Sequence, residues 1–456
     1  MKQNIIIFIA VVFLSFGGCK KQDEFLNEKV NISQTVPTTL EDFQNLLNNE
    51  DAFNYLKDPS LGALTGEDYY VSNKNWNSAV VNARNAYIFA SDIYEGSGSA
   101  ADWSNPYKAV YITNVVLDGI NNLKSSNSPD EVAKVKGQAL FYRSWNFYNL
   151  LQTYSMTYDS LTATADLGIP LRLTSDFNIR VIRSSVKDCY TQILSDLQTC
   201  LDLLPQTSEV LTRPNKITVN AFLARIYLAI GNYQEAFKNA DTVLENKHDL
   251  LDFNNVSTTA YPNLFTSFVP EDIYHSTLNA YNFLGAGYAF IDSTLYASYD
   301  INDLRKSVFF VMRPSGILTY RGSYDYRGAA YSGLATDEIY LIRAECLARL
   351  GNVNAAMDDL NRLLYYRWKQ GTFVSYSASG SEEALGIILA ERRKELINRG
   401  LRWTDLRRLN KESRFESTLT RSVNGLNYTL PPNDKRYAMP IPASEIKLMG
   451  LIQNER

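Results

Sequence analysis

The chain of 456 residues balances 45 Lys and Arg against 49 Asp and Glu, a formal net charge of −4, with only two histidines and four cysteines. A nucleic-acid binder carries a basic footprint and a metal protein a Cys/His grouping at ligand spacing; the sequence has neither, so neither nucleic acid nor a metal or other cofactor is expected. The bias it does carry is aromatic, with 30 Tyr, 21 Phe and 5 Trp, many of the tyrosines beside Gly, Ser, Asn and Asp where loops are expected.

At the N-terminus Lys2 precedes Ile5 to Phe16, apolar apart from Ser15, and then Gly17, Gly18 and Cys19. A charged start, a short apolar run and small residues describe a secretory signal, too short for the roughly 20 apolar residues of a membrane span. The ending Phe16-Gly17-Gly18-Cys19 resembles a bacterial lipobox. On that reading residues 1–18 are removed, Cys19 becomes the acylated first residue, and residues 19–36 form a polar tether. Ordinary secretion, with Cys19 a spectator, is the alternative.

Two helical regions follow in chain order, 37–215 and 216–456, expected to pack as one unit. Trp103 to Leu123 and Val132 to Tyr154 read as a first helix pair, and Val186 to Leu204, closed by Pro205, as a helix beyond it. Cys189 and Cys200 on that last helix lie about 16 Å apart along its axis, too far for a disulfide. From Thr218 to Ile230 the run is apolar nearly all round, the mark of a buried helix. Gly231-Asn232 supplies a stop, and Tyr233 to Glu245 returns with Ala236, Ala240, Val243 and Leu244 at helical spacing.

The same unit recurs at Ile339, Ile342, Cys346 and Leu350, then Gly351-Asn352, then Ala356, Leu360, Leu363 and Leu364. Such pairs resemble tetratricopeptide units, which bury a core only by stacking. Gly231 and Gly351 are 120 residues apart, against about 34 in a tandem array, so long insertions interrupt the stack. The predicted fold is mainly α, with helix pairs and little β structure, and irregular insertions at 58–102, 155–185, 246–335 and 411–456. Loops that long in a compact domain are usually functional.

The stretch Ser381 to Leu409 places Leu385, Ile388, Leu389 and Leu396 on one helical face together with Arg392. A guanidinium buried there needs a carboxylate, and Glu345 and Asp405 are the candidates. Glu391-Arg392-Arg393-Lys394-Glu395-Leu396, Gly400, Arg402-Trp403, Asp405-Leu406 and Arg408, with the ending Tyr437 to Ile446 and Leu451 to Asn454, resemble the C-terminal signature of the SusD/RagB family. Landmarks agree in order: Trp103, Tyr107 and Asn114; Ala139 and Arg143; Gly168-Ile169-Pro170-Leu171; Asp303 and Arg305; Ile342 to Glu345. Trp403 sits in that signature and reads as core.

The resemblance implies a helical lipoprotein on the outer face of the outer membrane. It would capture a glycan, or in the RagB branch a peptide, for a SusC-like TonB-dependent transporter and have no hydrolytic activity. Stacking rings and hydrogen-bonding side chains suit an oligosaccharide. The candidates are Tyr69, Tyr70, Trp76 and Tyr87 in the first insertion and Tyr281, Phe283, Tyr288 and Tyr296 in the third. Further along the third lie Tyr320, Tyr324, Tyr326 and Arg327. The alternatives are an exported glycoside hydrolase, using carboxylates such as Glu67 and Asp68 or Asp300 and Asp303, and a periplasmic helical scaffold binding protein alone.

Overall fold

The computed structural model describes residues 37–456 apart from 67, 98–99, 124–126, 260–263, 266 and 286. The signal, Cys19, the tether and Glu67 lie outside the described residues. Nine helices carry the frame: α1 (Ala101–Ile120), α2 (Pro129–Tyr154), α3 (Val186–Leu203), α4 (Lys216–Ala229), α5 (Tyr233–Asn246), α6 (Thr336–Arg349), α7 (Val353–Tyr365), α8 (Ser381–Glu395) and α9 (Arg402–Leu409). Among the described residues none is long and apolar enough to cross a membrane.

Helix α2 is buried on nearly every side, and α1 and α3 pack along it. The family landmarks on these helices meet in space. Arg143 forks onto Asp196 with two bonds of 2.8 Å and reaches Asn114 Oδ1 at 3.2 Å, joining all three helices. A buried guanidinium left without that carboxylate would be strongly destabilising. Tyr107 donates to the carbonyl of Pro170 at 2.9 Å, pinning the Gly168-to-Leu171 segment against α1.

The second half repeats one device. Gly231 (φ 78°) and Gly351 (φ 88°) both adopt the left-handed conformation that ends α4 and α6. In each case the following Asn N–H reaches back five residues, Asn232 to Tyr227 at 2.9 Å and Asn352 to Leu347 at 2.8 Å. This is the helix-closing bond of a Schellman turn, in which a Cβ would be strained. Ala224, Ala236, Ala344 and Ala356 are fully buried, small enough for the helices to approach closely. Arg225 to Glu338 joins α4 to α6, and Arg343 joins α6 to α5 and α7 through Asp241 and Asp359.

The insertions are less irregular than their sequence suggests. Among the described residues they hold five two-stranded antiparallel ladders. Their strands run only two to five residues, too short for a period of two to stand out. Tyr69–Val71 pairs with Ala289–Ile291, more than 200 residues away, and Leu419–Val423 pairs with Leu426–Leu430. Cys189, Cys200 and Cys346 are free and buried, as the helical spacing of the first two requires.

Candidate functional site

Most of the ring-bearing insertion residues face inward. Tyr69 and Tyr324 are fully buried, their hydroxyls donating to Leu64 O at 2.8 Å and to Glu271 Oε2 at 2.6 Å. Tyr87 and Phe283 are likewise core and meet edge to face at 5.8 Å. Tyr281 is half-buried; it donates to Asp102 at 2.7 Å and accepts from Asn82 at 2.8 Å. Tyr296 packs edge-on against Phe310 with the Lys306 ammonium 4.7 Å over its ring, and Tyr320 lies against Phe309 in the same apolar cluster. These rings hold the insertions together.

Tyr326 and Arg327 belong to a second, separate group. The Arg327 guanidinium lies 3.8 Å over Tyr55 and 5.3 Å over Tyr326, and its Nε donates to Asp325 at 3.2 Å. Beneath it His275 is fully buried between Asp272 (2.5 Å) and Asp325 (3.0 Å). Burial alone would hold the imidazole neutral, but the two carboxylate hydrogen bonds outweigh it and push its pKa up to about 9.

The remaining rings come together at one edge. Strand register sets Tyr70 opposite Phe290, their rings 5.3 Å apart, and alternation turns Tyr70 outward where Tyr69 and Val71 turn in. Tyr70 is 52 % exposed. The short helix Asn73–Ser78 follows at once, capped by Ser72 Oγ accepting from the Asn75 N–H at 3.2 Å. Asn75 Nδ2 donates to the Tyr288 carbonyl at 2.9 Å, fixing this helix beside the partner strand. Trp76 is half-buried; its indole N–H donates to Arg84 O at 3.0 Å and its ring lies 5.5 Å from the Arg84 guanidinium. Asn424, at the tip of the C-terminal ladder, donates its N–H to Asn73 Oδ1 and its side-chain amide to Asn77 Oδ1.

The structure thus places Tyr70, over the buried Phe290 ring, and the elements that carry Trp76 and Tyr288 side by side, with asparagines along the short helix. Sequence reasoning missed Phe290 and Asn424. Phe290 sits in a three-residue strand without a readable pattern, and the turn dipeptide Asn424-Gly425 signals a hairpin but not where its tip lands.

One carboxylate of each pair weighed for hydrolysis is held in an ion pair. Asp303 is salt-bridged to Arg305 at 2.7 Å and Asp68 to Arg393 at 3.3 Å. Of the two partners expected for Arg392, it meets Asp405 at 2.8 Å; Glu345 is taken by Arg408 through bonds of 2.6 and 2.8 Å and by Arg349 at 2.9 Å. Trp403 is core, stacked on Tyr437 at 4.7 Å and lying where a Cβ on Gly62 would fall 2.7 Å from its ring.

Two family models match the chain. One, described as starch-binding associating with outer membrane, covers residues 24–228, and the other, described as the SusD family, covers 335–455, together well over half of the sequence. The chain belongs to the SusD/RagB family. A SusD-like protein of Formosa agariphila is 24 % identical over 413 residues, spanning 76 % of this chain and 78 % of that one. Among solved structures, a SusD superfamily protein of Bacteroides vulgatus aligns with TM-score 0.73 at 20 % identity, over 92 % of this chain and 99 % of that one. A SusD superfamily protein of Bacteroides thetaiotaomicron aligns with TM-score 0.70 at 22 % identity, over 92 % and 100 %. A SusD-like carbohydrate binding protein of Bacteroides vulgatus gives 0.68 at 21 %, over 91 % and 97 %. The SusD fold therefore spans the described chain, and SusD-family proteins are outer-membrane-associated glycan binders.

Proposed function

We propose that this SusD-family protein captures an oligosaccharide on the Tyr70–Trp76–Tyr288 face and delivers it, unaltered, to a SusC-like TonB-dependent transporter. Acyl chains on Cys19 hold it to the outer membrane. The observation that carries the reading is the exposed Tyr70 ring, locked beside Phe290 by a strand ladder, with Asn73, Asn75 and Asn77 on the short helix that follows it. A sugar ring has an apolar C–H face and a rim of hydroxyls. Aromatic area that is already rigid takes the first at little entropic cost, and side-chain amides both donate to and accept from the second.

Calorimetric titration of the purified protein with a panel of neutral oligosaccharides tests this. One of them should bind, and Tyr70→Ala should weaken it by about 30-fold, the worth of a well-placed aromatic anchor. The melting temperature should hardly move, because half of that side chain is already in water. Unchanged affinity in both Tyr70→Ala and Tyr288→Ala would remove the face from the account, and turnover of the sugar would replace capture by catalysis. Binding of peptides but no sugar would assign the face to a peptide ligand.

The anchor has its own test. Cys19→Ser should shift the protein from the membrane to the soluble fraction, whereas the unaltered chain, extracted in mild detergent, should bring a large β-barrel with it. Equal membrane retention of both would refute acylation at this residue.

A further inference from the structure

A large concavity shares no lining residue with the aromatic face. It is a groove of about 910 Å³ walled by α1, the 172–180 loop and the short helix Ala443–Met449. Its volume falls in the range of ligand sites, and its lining is mainly apolar with a few charged groups. Tyr107 and Tyr111, one helical turn apart on α1, form one wall. Phe177 and Ile179 on the loop and Leu448 on the short helix also line it and stand 76, 48 and 80 % exposed. Apolar surface of that extent, clustered and rimmed by charge, marks a contact surface.

The charge is lopsided. Lys108, Arg172, Arg180 and Lys447 line the groove from three separate elements, with Glu445 the single acidic lining residue. None of the four cations forms an ion pair among the described residues. Elsewhere Arg143, Arg225, Arg305, Arg343, Arg367 and Arg408 each meet a carboxylate. A positive trough on a chain of net charge −4 is a local arrangement rather than a general excess.

The walls are also fixed in advance. Asn114 donates to Arg172 O at 2.9 Å, and Asp118 accepts from Ser175 N–H and Oγ at 2.7 Å, so the loop is sewn to α1. Arg183 donates to Ile452 O at 3.0 Å, tying the chain beyond the short helix to the same region. A preformed site avoids the ordering cost that weakens binding by mobile loops.

We propose that this groove is a docking site for a short acidic polypeptide segment of another protein that presents large apolar side chains. The four unpaired cations select the acidic partner. The protruding aliphatic groups Ile179 and Leu448 favour apolar side chains over a hydroxyl-covered sugar, and concavity favours a narrow segment over a flat lipid surface. The site is independent of the oligosaccharide-binding face.

Fluorescence polarisation of the full mature protein with the labelled hexapeptide Asp-Glu-Phe-Leu-Asp-Glu tests the proposal. Saturable binding should weaken at least about tenfold in Arg172→Glu/Lys447→Glu, the scale of removing two close charge pairs. The swapped peptide Lys-Arg-Phe-Leu-Lys-Arg should prefer that double variant to the unaltered protein. Serine in place of Phe and Leu in the peptide, or Phe177→Ser in the protein, should abolish binding, and circular dichroism should stay native throughout. Tyr70→Ala should leave the peptide affinity unchanged, which separates this test from that of the aromatic face. Any of three results overturns the proposal: no saturable binding, equal binding of the uncharged Asn-Gln-Phe-Leu-Asn-Gln, or capture of phosphatidylglycerol vesicles or a sulfated oligosaccharide through the same cations in place of the peptide.

Discussion

Arg305→Met is expected to lower the unfolding free energy by about 3–5 kcal/mol, the cost of removing one partner from a buried ionic cluster. The side chain is fully buried and binds three carboxylates: Asp303 at 2.7 and 2.9 Å, Glu391 at 2.6 Å and Glu395 at 3.1 Å. The cluster continues from there. Glu395 accepts from Arg367 at 2.7 Å, Arg367 donates to Glu271 at 2.8 Å, and Tyr324 donates to the other Glu271 oxygen at 2.6 Å. Methionine would fill most of the volume and leave three buried carboxylates with one fewer cation among them. Adding Asp303→Leu should recover part of the loss, because an apolar pair of similar size has no charge to desolvate. Denaturant midpoints at neutral pH measure both variants, and a loss under about 1 kcal/mol for the single variant would show the cluster to be wetter than its geometry.

His275→Gln should cost about 3 kcal/mol at pH 6 and almost nothing above pH 9. A group whose pKa is raised on folding contributes stability fully present below its unfolded value, near 6.5, and lost as pH rises through the folded value, near 9. The magnitude follows from 1.36 kcal/mol for each tenfold change in proton affinity. Asp272 and Asp325 face the ring from either side, and Arg327 lies beyond Asp325. Burial raises Asp58 to about 6, so the parent protein also loses stability as pH rises through the acidic range. The difference between variant and parent isolates the histidine. Parallel stability profiles from pH 6 to 10 would show that His275 is neutral throughout.

The frame was legible because it rests on local signals. The all-round apolar run at α4, the stripe at α6 and the two Gly-Asn stops each lie within one stretch of chain, and the helices fall where those signals place them. The acidic partner of Arg392 was narrowed to two residues but not chosen, because the choice depends on Arg408 claiming Glu345. The cluster around Arg305 drew on positions 271, 303, 367, 391 and 395, which no local pattern relates. Tyrosines were the hardest to sort. Tyr69 and Tyr70 are neighbours of the same type, and only the pairing with Ala289–Ile291 sends one ring into the core and the other into water. The groove was invisible for the same reason, since its walls come from three segments that the fold alone assembles.

The small amide clasp between Asn424 and the Asn73–Ser78 helix reaches across about 350 positions of sequence. The aromatic face thus draws on the beginning, the middle and the end of the chain. No fragment cut at a loop would carry it intact, and exchanging one half with a relative would rebuild the surface as well as the scaffold. Variation in the lengths of these few tips would instead reshape the proposed face without altering the helix sequences beneath it.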